Sequence, residues 1–367
     1  MKILHISKYY APYKGGIENV VYNLVEGSIK KGHRVDVLCF NDSNKNSTEI
    51  FENHKIFRVR RLFVLFSLPI SVSFFTKIFK LSNNYDIIHV HLPNPLSVLA
   101  VFLNKVKAKI VIHWHSDIIE QKILYSLLSV FHKKVLQKAD KIIMTTNNYL
   151  ESSTQLFNFH DKCEVIPIGI PDVNTSIQNF KEKNDDDQIV VFAIGRLVTY
   201  KGFDKLISST EFLDDNIKII IAGNGPLKIK LSNLIKDLNV GNRVTLVGYL
   251  SESELISYYK KADIFCLPSI TRNEAFGVVL LEAMMFSLPI ICYNIPGSGV
   301  SWVTKNKYNG EVISNINYKD LAESINKLSR DKELLKQYSI NSRKRYLTEF
   351  TVGKMQKDTN KLYLKIK

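Results

Sequence analysis

The sequence predicts an α/β protein of two Rossmann-like domains, each built on a parallel sheet. Three observations carry this. Short apolar runs alternate with segments of helical periodicity along nearly the whole chain, the pattern of strand–helix–strand units. The series runs twice, broken by a polar stretch from Pro171 to Gln188. Glycine-bearing polar motifs follow buried runs in both halves, at the strand ends where open α/β sheets hold ligands. A length of 367 residues suits two domains of ordinary size. The boundaries are read as 1–170 for an N-terminal domain, 171–188 for a linker, 189–345 for a C-terminal domain and 346–367 for a closing helix. With ligand motifs in both halves, a cleft between the domains is the expected binding place.

In the first half, Ile3 to Ser7 reads as a buried strand, Lys8 to Gly16 as a loop and Ile17 to Lys31 as a helix. That arrangement can place a phosphate on backbone N–H groups. Gly15-Gly16-Ile17-Glu18 is not the dinucleotide fingerprint, and a glycine pair also serves as a plain turn. His33 to Phe40 is the second strand and Lys55 to Arg61 the third. Leu62 to Leu81 is uncharged as far as Thr76 and flanked by Arg58, Arg60, Arg61, Lys77 and Lys80. It fits either a core helix-and-loop segment or a monotopic anchor with cations at lipid headgroups. Asp86 to His91 is the fourth strand; Lys109 to Trp114, the fifth, runs into His115-Ser116-Asp117. At a strand's carboxyl end, His115 could be a base, an orienting donor or a satisfied core histidine. Ile118 to Lys138 reads as a helix, Asp140 to Thr146 as a strand, Asn147 to Phe157 as a helix and Cys163 to Ile170 as a final strand.

In the linker, Asp185-Asp186-Asp187 sits in a solvated charge run with no adjoining strand, so it reads as surface and not as a metal site. Ile189 to Ile194 opens the second series. The following loop, Gly195 to Gly202, sets Arg196 and Lys201 beside glycines; a guanidinium fork and a lysine point charge suit a diphosphate. Ile217 to Ala222, Val244 to Val247, Asp263 to Pro268 and Pro289 to Tyr293 are strands, and Ser251 to Glu254 has the capping-box pattern. Helical segments from Tyr318 to Tyr363 close the chain. The densest signal is Asn273 to Met284. Phe276 to Phe286 reads as a buried, nearly uncharged helix, and Glu282 inside it needs a partner. Glu274 lies just before the helix, beside free N–H groups. The two acids read as a polar pocket for a ligand with hydroxyls and a negative tail, or as a capping acid plus a buried glutamate paired to an arginine.

Composition narrows the class. A hydrophobic share of 45% and a charged share of 23% are those of a soluble globular protein. Met1 to Ser7 reads directly as a strand, with no signal-peptide pattern, and no apolar run reaches the length of a membrane span. Cys39, Cys163, Cys266 and Cys292 are scattered in or beside apolar runs, as expected of reduced core cysteines in a cytosolic protein. The net charge of +15 is uneven: residues 1–170 hold 22 Lys and Arg against 13 Asp and Glu, the remainder 28 against 22. Such a surface suits an anionic partner, although a lysine-rich surface alone gives the same balance. No nucleic-acid motif accompanies it.

Together the motifs resemble the retaining glycosyltransferases of family 4, of GT-B fold, over nearly the whole chain. The resemblance rests on Glu274-Ala275-Phe276-Gly277 through Glu282, on Gly195-Arg196-Leu197 through Lys201-Gly202, on Gly15-Gly16 and on His115, in that family's order. His115-Ser116-Asp117 and Pro93-Asn94-Pro95 also resemble the branch that builds bacterial O-antigens, capsules and lipopolysaccharide. It implies two parallel sheets facing across a cleft, with the closing helix packed back on the N-terminal domain. It implies that Arg196 and Lys201 bind the donor diphosphate and that Glu282 bonds the ribose. Glu274 and the N–H groups of Phe276, Gly277 and Val278 would hold sugar and phosphate. Gly15 and Gly16 would let backbone approach the phosphates, and His115 would lie near the reacting centre. Glu18 and Asp117 would meet the acceptor. The implied donor is a GDP- or UDP-linked hexose, the acceptor a lipid-linked or growing glycan, and the place the cytoplasmic face of the inner membrane, on its anionic leaflet. No metal or other cofactor is expected, because cations and helix termini compensate the leaving charge. With no evident carboxylate nucleophile, same-face attack through an oxocarbenium-like state is the expected course.

Two other readings stay open. One is an epimerase or hydrolase on the same fold, which would turn over donor without acceptor. The other is a non-catalytic subunit that activates a partner enzyme; the intact motif set speaks against it. The donor base, the sugar, the linkage and the oligomeric state are not legible in these residues.

Overall fold

The computed structural model describes residues 1–13, 15–65, 68–104, 106–117, 122–173 and 188–367. Asp185, Asp186, Asp187 and most of the expected linker lie outside them, as do Ile118 to Gln121 of an expected helix. Contacts divide the chain into two units: Met1–Ile170 with Val352–Lys367, and Pro171–Thr351.

The first unit runs β1 (Lys2–Ile6), α1 (Gly16–Lys30), β2 (Arg34–Phe40), β3 (Ser47–Ile50), β4 (His54–Val59), β5 (Phe63–Leu65), β6 (Leu68–Ile70) and α2 (Val72–Leu81). It continues with β7 (Ile87–Leu92), α3 (Pro95–Leu103), β8 (Lys109–Trp114), α4 (Lys122–Lys138), β9 (Lys141–Met144), α5 (Asn147–Ser152) and β10 (Cys163–Val165). Eight strands form one sheet in the order β10-β9-β8-β7-β1-β2-β4-β3. All its pairs are parallel except β3 with β4. The central strands are buried along nearly their whole length, which is why they read as continuous apolar runs. Strand order reverses at β1, with β2 on one side and β7 on the other, so the carboxyl ends of β1 and β7 make a topological switch point.

The second unit runs β11 (Ile189–Ile194), α6 (Phe203–Ser208), β12 (Ile217–Ala222), α7 (Lys228–Asp237), β13 (Val244–Gly248), α8 (Glu252–Lys261) and β14 (Ile264–Leu267). Then come α9 (Val278–Met285), β15 (Ile290–Tyr293), α10 (Val300–Val303), β16 (Gly310–Ile313), α11 (Tyr318–Arg330) and α12 (Lys332–Glu349). Its six strands are all parallel, in the order β13-β12-β11-β14-β15-β16, and reverse at β11. The capping box at Ser251 and Glu254 forms as the sequence suggests. The last helix, α13 (Val352–Ile366), belongs to the first unit. It buries Met355, Leu362 and Tyr363 and packs on α1, each such side chain worth about 1.5–3 kcal/mol. Gln356 Nε2 donates to Asn23 O at 2.7 Å, and Val352 N–H to Ile170 O at 3.0 Å.

Several boundaries differ from the sequence reading, each for a local reason. The return to the first unit begins at Val352 and not at residue 346, because Tyr346 is buried in α12, which packs on α9. Helix α9 starts at Val278 and not at Phe276, because Gly277 takes a left-handed φ of 78°. Strand β3 is an exposed antiparallel edge without apolar alternation, and went unread. Strand β16 and helix α3 also went unread; Asn94 caps α3 by accepting from Ser97 N–H at 3.3 Å. Within the stretch 62–81, helix α2 reaches the core, as one of its two readings expects. Phe74 and Ile78 lie in the core, while Leu62, Phe63, Val72 and Phe79 are exposed. Arg58, read as one of its flanking cations, is buried instead and pairs with Glu49. Among the described residues no helix is long and apolar enough to cross a membrane. The four cysteines are free thiols.

Candidate active site

In the second unit, the loops after β11 and β14 meet. Gly202 (φ 65°) makes this possible: a Cβ there would lie 2.1 Å from Pro268 O. Ile270 N–H donates to Tyr200 O at 2.8 Å, stitching the two loops together. Lys201 is thereby turned inward, and its Nζ donates to Glu274 Oε2 at 2.5 Å. Ser269 Oγ donates to the same oxygen at 2.9 Å. Ser298 Oγ donates to Glu274 O at 2.5 Å, and Gly299 N–H to Ala275 O at 2.8 Å, so the loop after β15 braces the acid from behind. Lys201 and Glu274 are both buried, and their pairing removes the cost of two isolated charges. Arg196 is exposed at the end of β11, and its guanidinium has no protein partner among the described residues. Lys201 and Glu274 cancel each other, which leaves the Arg196 guanidinium as a fork that can grip a phosphate bidentately.

Glu282 lies on α9, further into the unit. Its partner is a phenol and not an arginine: Tyr259 Oη donates to Glu282 Oε2 at 2.7 Å. Burial pushes the Glu282 carboxyl above its ordinary range, and the Tyr259 hydrogen bond offsets part of that rise. Phe276 is buried edge-on to Phe350, which fixes the entry to α9. Behind Gly277, α9 begins without a side-chain cap; Leu280 N–H turns back to Gly277 O at 2.8 Å, and no side chain caps the N–H groups of Val278 and Val279.

The first unit carries the other expected residues. Gly15 and Gly16 open α1, which also lacks a side-chain cap. A Cβ at Gly16 would meet nothing within 4 Å, so its surroundings are open to an approaching ligand. Arg58 holds the preceding loop in place by donating to Ala11 O at 2.5 Å and Tyr10 O at 3.5 Å. Glu18 sits in the first turn of α1, beside Gly15 and in the field of Lys8. Asp117 is committed inside the unit: its Oδ1 accepts from Trp114 Nε1 at 2.9 Å and from Ser153 Oγ at 2.8 Å. That internal role differs from the acceptor contact expected of it.

His115 is one of five buried histidines on a single face of the sheet, with His5, His89, His91 and His113. Register explains the grouping. His5 pairs with His89 across β1 and β7, and His91 with His113 across β7 and β8. Positions two apart share a face, so His89 joins His91 and His113 joins His115. The His113 and His115 rings stack at 4.2 Å. His5 Nδ1 lies 3.0 Å from His91 Nε2, and His91 Nδ1 lies 3.1 Å from His115 Nε2. His89 Nδ1 meets Tyr363 Oη of α13 at 2.5 Å. Burial pushes His5 and His115 down to about 3 and holds His89, His91 and His113 well below 6.5, so all five are neutral at neutral pH. Two overlapping sets, His5/His89/His91 and His91/His113/His115, each bring ring nitrogens within 4.8 Å of one another, the spacing a metal would need. Neither set includes a carboxylate to compensate a buried cation.

Lys201 and Glu274 thus touch, with Arg196, Phe276, Gly277, Val278 and Glu282 in the same unit. Gly15, Gly16, Glu18, His115 and Asp117 lie in the other. Sequence reasoning missed Ser269, Ser298, Tyr259 and the supporting histidines. Only the last left a signal, the alternate histidines of His89-Val90-His91 and His113-Trp114-His115.

Comparisons with known proteins give the family and the fold. Residues 174–345 match the family model for glycosyl transferases group 1, and residues 14–173 the model for glycosyltransferase family 4. The chain is 31% identical over 360 residues to the O-antigen chain mannosyltransferase C of Escherichia coli, covering 97% of this chain and 96% of that one. It is 29% identical over 320 residues to the D-rhamnosyltransferase WbpZ of Pseudomonas aeruginosa, covering 85% and 82%. The solved structure of Anabaena HepE in complex with UDP superposes with a TM-score of 0.78 at 18% identity, covering 100% of both chains.

Proposed function

The chain belongs to the group 1 glycosyltransferases, of GT-B fold, and from that premise we propose that it transfers a mannose-type hexose, with retention, from a nucleoside diphosphate sugar to a lipid-linked or growing O-antigen-type glycan. The observation that carries this reading is the Lys201–Glu274–Ser269 cluster beside the unpartnered Arg196. Arg196 and Lys201 hold the diphosphate and compensate its charge as the bond to the sugar breaks. Glu274, whose Oε1 has no protein partner among the described residues, accepts from sugar hydroxyls. Glu282 accepts from the ribose. The N–H groups at the start of α9 and the Gly15-Gly16 loop take phosphate oxygens. His115 lies by the sugar. Relatives named for mannosyl and D-rhamnosyl transfer favour a sugar of manno configuration.

In the reaction the acceptor oxygen bonds to the anomeric carbon as the carbon–oxygen bond to the diphosphate breaks. The acceptor proton passes to the departing phosphate oxygen. Glu274 is tied to Lys201 and Ser269, which suits a positioning acid better than a nucleophile, so same-face attack is favoured. No metal is required, since Arg196, Lys201 and helix termini supply the compensating charge. The test is incubation with GDP-mannose and UDP-glucose, with and without a lipid-linked glycan, and the anomeric configuration of the product read by NMR. Acceptor-dependent transfer with the donor's configuration supports the proposal. Equal donor consumption without acceptor supports an epimerase or hydrolase.

Association with an anionic membrane surface is part of the proposal. Val72 and Phe79 on α2 are 62% and 72% exposed, with Lys77 and Lys80 on the same helix. Val72→Ser with Phe79→Ser should reduce flotation with phosphatidylglycerol vesicles at low salt. Undiminished flotation removes α2 from the membrane account.

A further inference from the structure

His5, His91 and His115 form a hydrogen-bonded chain of three imidazoles, running from the middle of the sheet to its carboxyl edge. A neutral imidazole has one N–H donor and one acceptor nitrogen, and both nitrogens of His91 are engaged. Proton placement along the chain is therefore all or none. In one direction His5 Nδ1–H donates to His91 Nε2, and His91 Nδ1–H donates to His115 Nε2. In the other every bond is reversed.

The two directions are not equivalent, because the inner end of the chain is sealed. His5 Nε2 is buried and has no hydrogen-bond partner. In the reversed direction it would carry an N–H with nothing to receive it; in the forward direction it is only an unused lone pair. Orphaned N–H groups are the costlier defect, so the forward direction is favoured by about tenfold or more. His115 Nε2 then accepts, and the proton of His115 must sit on Nδ1. That nitrogen is not among the sealed, unpartnered atoms of this face, and His115 keeps 7% exposure.

We propose that His91 and His5 are positioning residues that lock His115 as the neutral Nδ1–H tautomer, so that His115 meets its ligand as a hydrogen-bond donor and not as a base. The ligand class follows: an oxygen acceptor, such as a sugar hydroxyl or a phosphate oxygen. This deepens the glycosyltransferase reading and rests on it only for the ligand's identity. Burial keeps all three rings uncharged, as the tautomer logic requires.

The test is a long-range ¹H–¹⁵N spectrum of the histidine-labelled, full-length protein at neutral pH, with His115 assigned by its loss in His115→Gln. The expected result is Nδ1 of His115 in the protonated range and Nε2 in the unprotonated range. An amide can replace the N–H that His91 donates, so His91→Asn should keep that tautomer, whereas His91→Leu should leave a mixture. A His115 with its proton on Nε2 overturns the proposal, and so does a tautomer unchanged in His91→Leu. None of these spectra needs turnover. Loss of the glycosyltransferase reading would show separately, as absent transfer with the tautomer intact.

Discussion

Lys201 Nζ and Glu274 Oε2 lie 2.5 Å apart although 73 residues separate them in the chain. Two loops from neighbouring strands, β11 and β14, bring them together. In the structure each neutralises the other, and a diphosphate sugar would offer each a second partner: anionic oxygens for the lysine, hydroxyls for the acid.

Removing one member strands the other charge. Lys201→Met and Glu274→Gln should each cost transfer at least about 100-fold. Lys201→Met should also destabilise by about 3–5 kcal/mol, while the double variant should recover part of that loss, because no buried charge is then left alone. Chemical denaturation and initial rates on the three variants check this. Additive losses in stability would mean the two side chains act independently.

Gly202→Ala should displace the loop that carries Lys201. The added Cβ meets Pro268 O, and φ is 65°, a left-handed value; together these should cost about 2–4 kcal/mol. Transfer should fall along with stability. An alanine variant with unchanged melting temperature and rate would contradict the placement of this loop.

Tyr259→Phe removes the donor that holds Glu282 down. The carboxyl then rises further, and protonation turns one of its acceptor oxygens into a donor, which weakens its hold on two ribose hydroxyls. Nucleotide affinity should fall more steeply from pH 7 to pH 6 in the variant than in wild type, measured by calorimetry. Equal affinity in wild type and variant at both pH values would remove Glu282 from the ribose site.

Acid should unfold the first unit before the second. All nine histidines lie in residues 1–170. Six, the five of the sheet face and His132, are neutral through burial, with folded values depressed below 6.5. The unfolded chain therefore takes up protons first. Stability is full above about pH 6.5 and falls as pH drops towards the folded values, by about 2 kcal/mol per histidine between pH 6.5 and 5. Several such histidines rival a domain's whole stability. Trp114 and Trp302 report on the two units separately, through the fluorescence of Trp302→Phe and Trp114→Phe proteins. Simultaneous loss in both would contradict the assignment.

The sequence displayed some of this directly and hid the rest for identifiable reasons. The buried parallel strands stood out because helices cover both faces and leave no polar alternation. Lys201 and Glu274 stood out as charges beside glycines at strand ends, but their contact did not, since pairing across β11 and β14 depends on strand order. Glu282 announced its need for a partner; a tyrosine on α8 was not foreseen, because a phenol carries no charge pattern. His115 was visible alone. Its array was not, because the registers of β1, β7 and β8 must be known before alternate histidines on separate strands become neighbours.

The most direct measurement is calorimetric titration of GDP and UDP, without metal, into wild type, Arg196→Ala and Lys201→Met. The account predicts that one nucleotide binds the wild-type protein and that each variant weakens it at least about tenfold. Binding that is unchanged in both variants, or absent with either nucleotide, would contradict the placement of the donor diphosphate on Arg196 and Lys201.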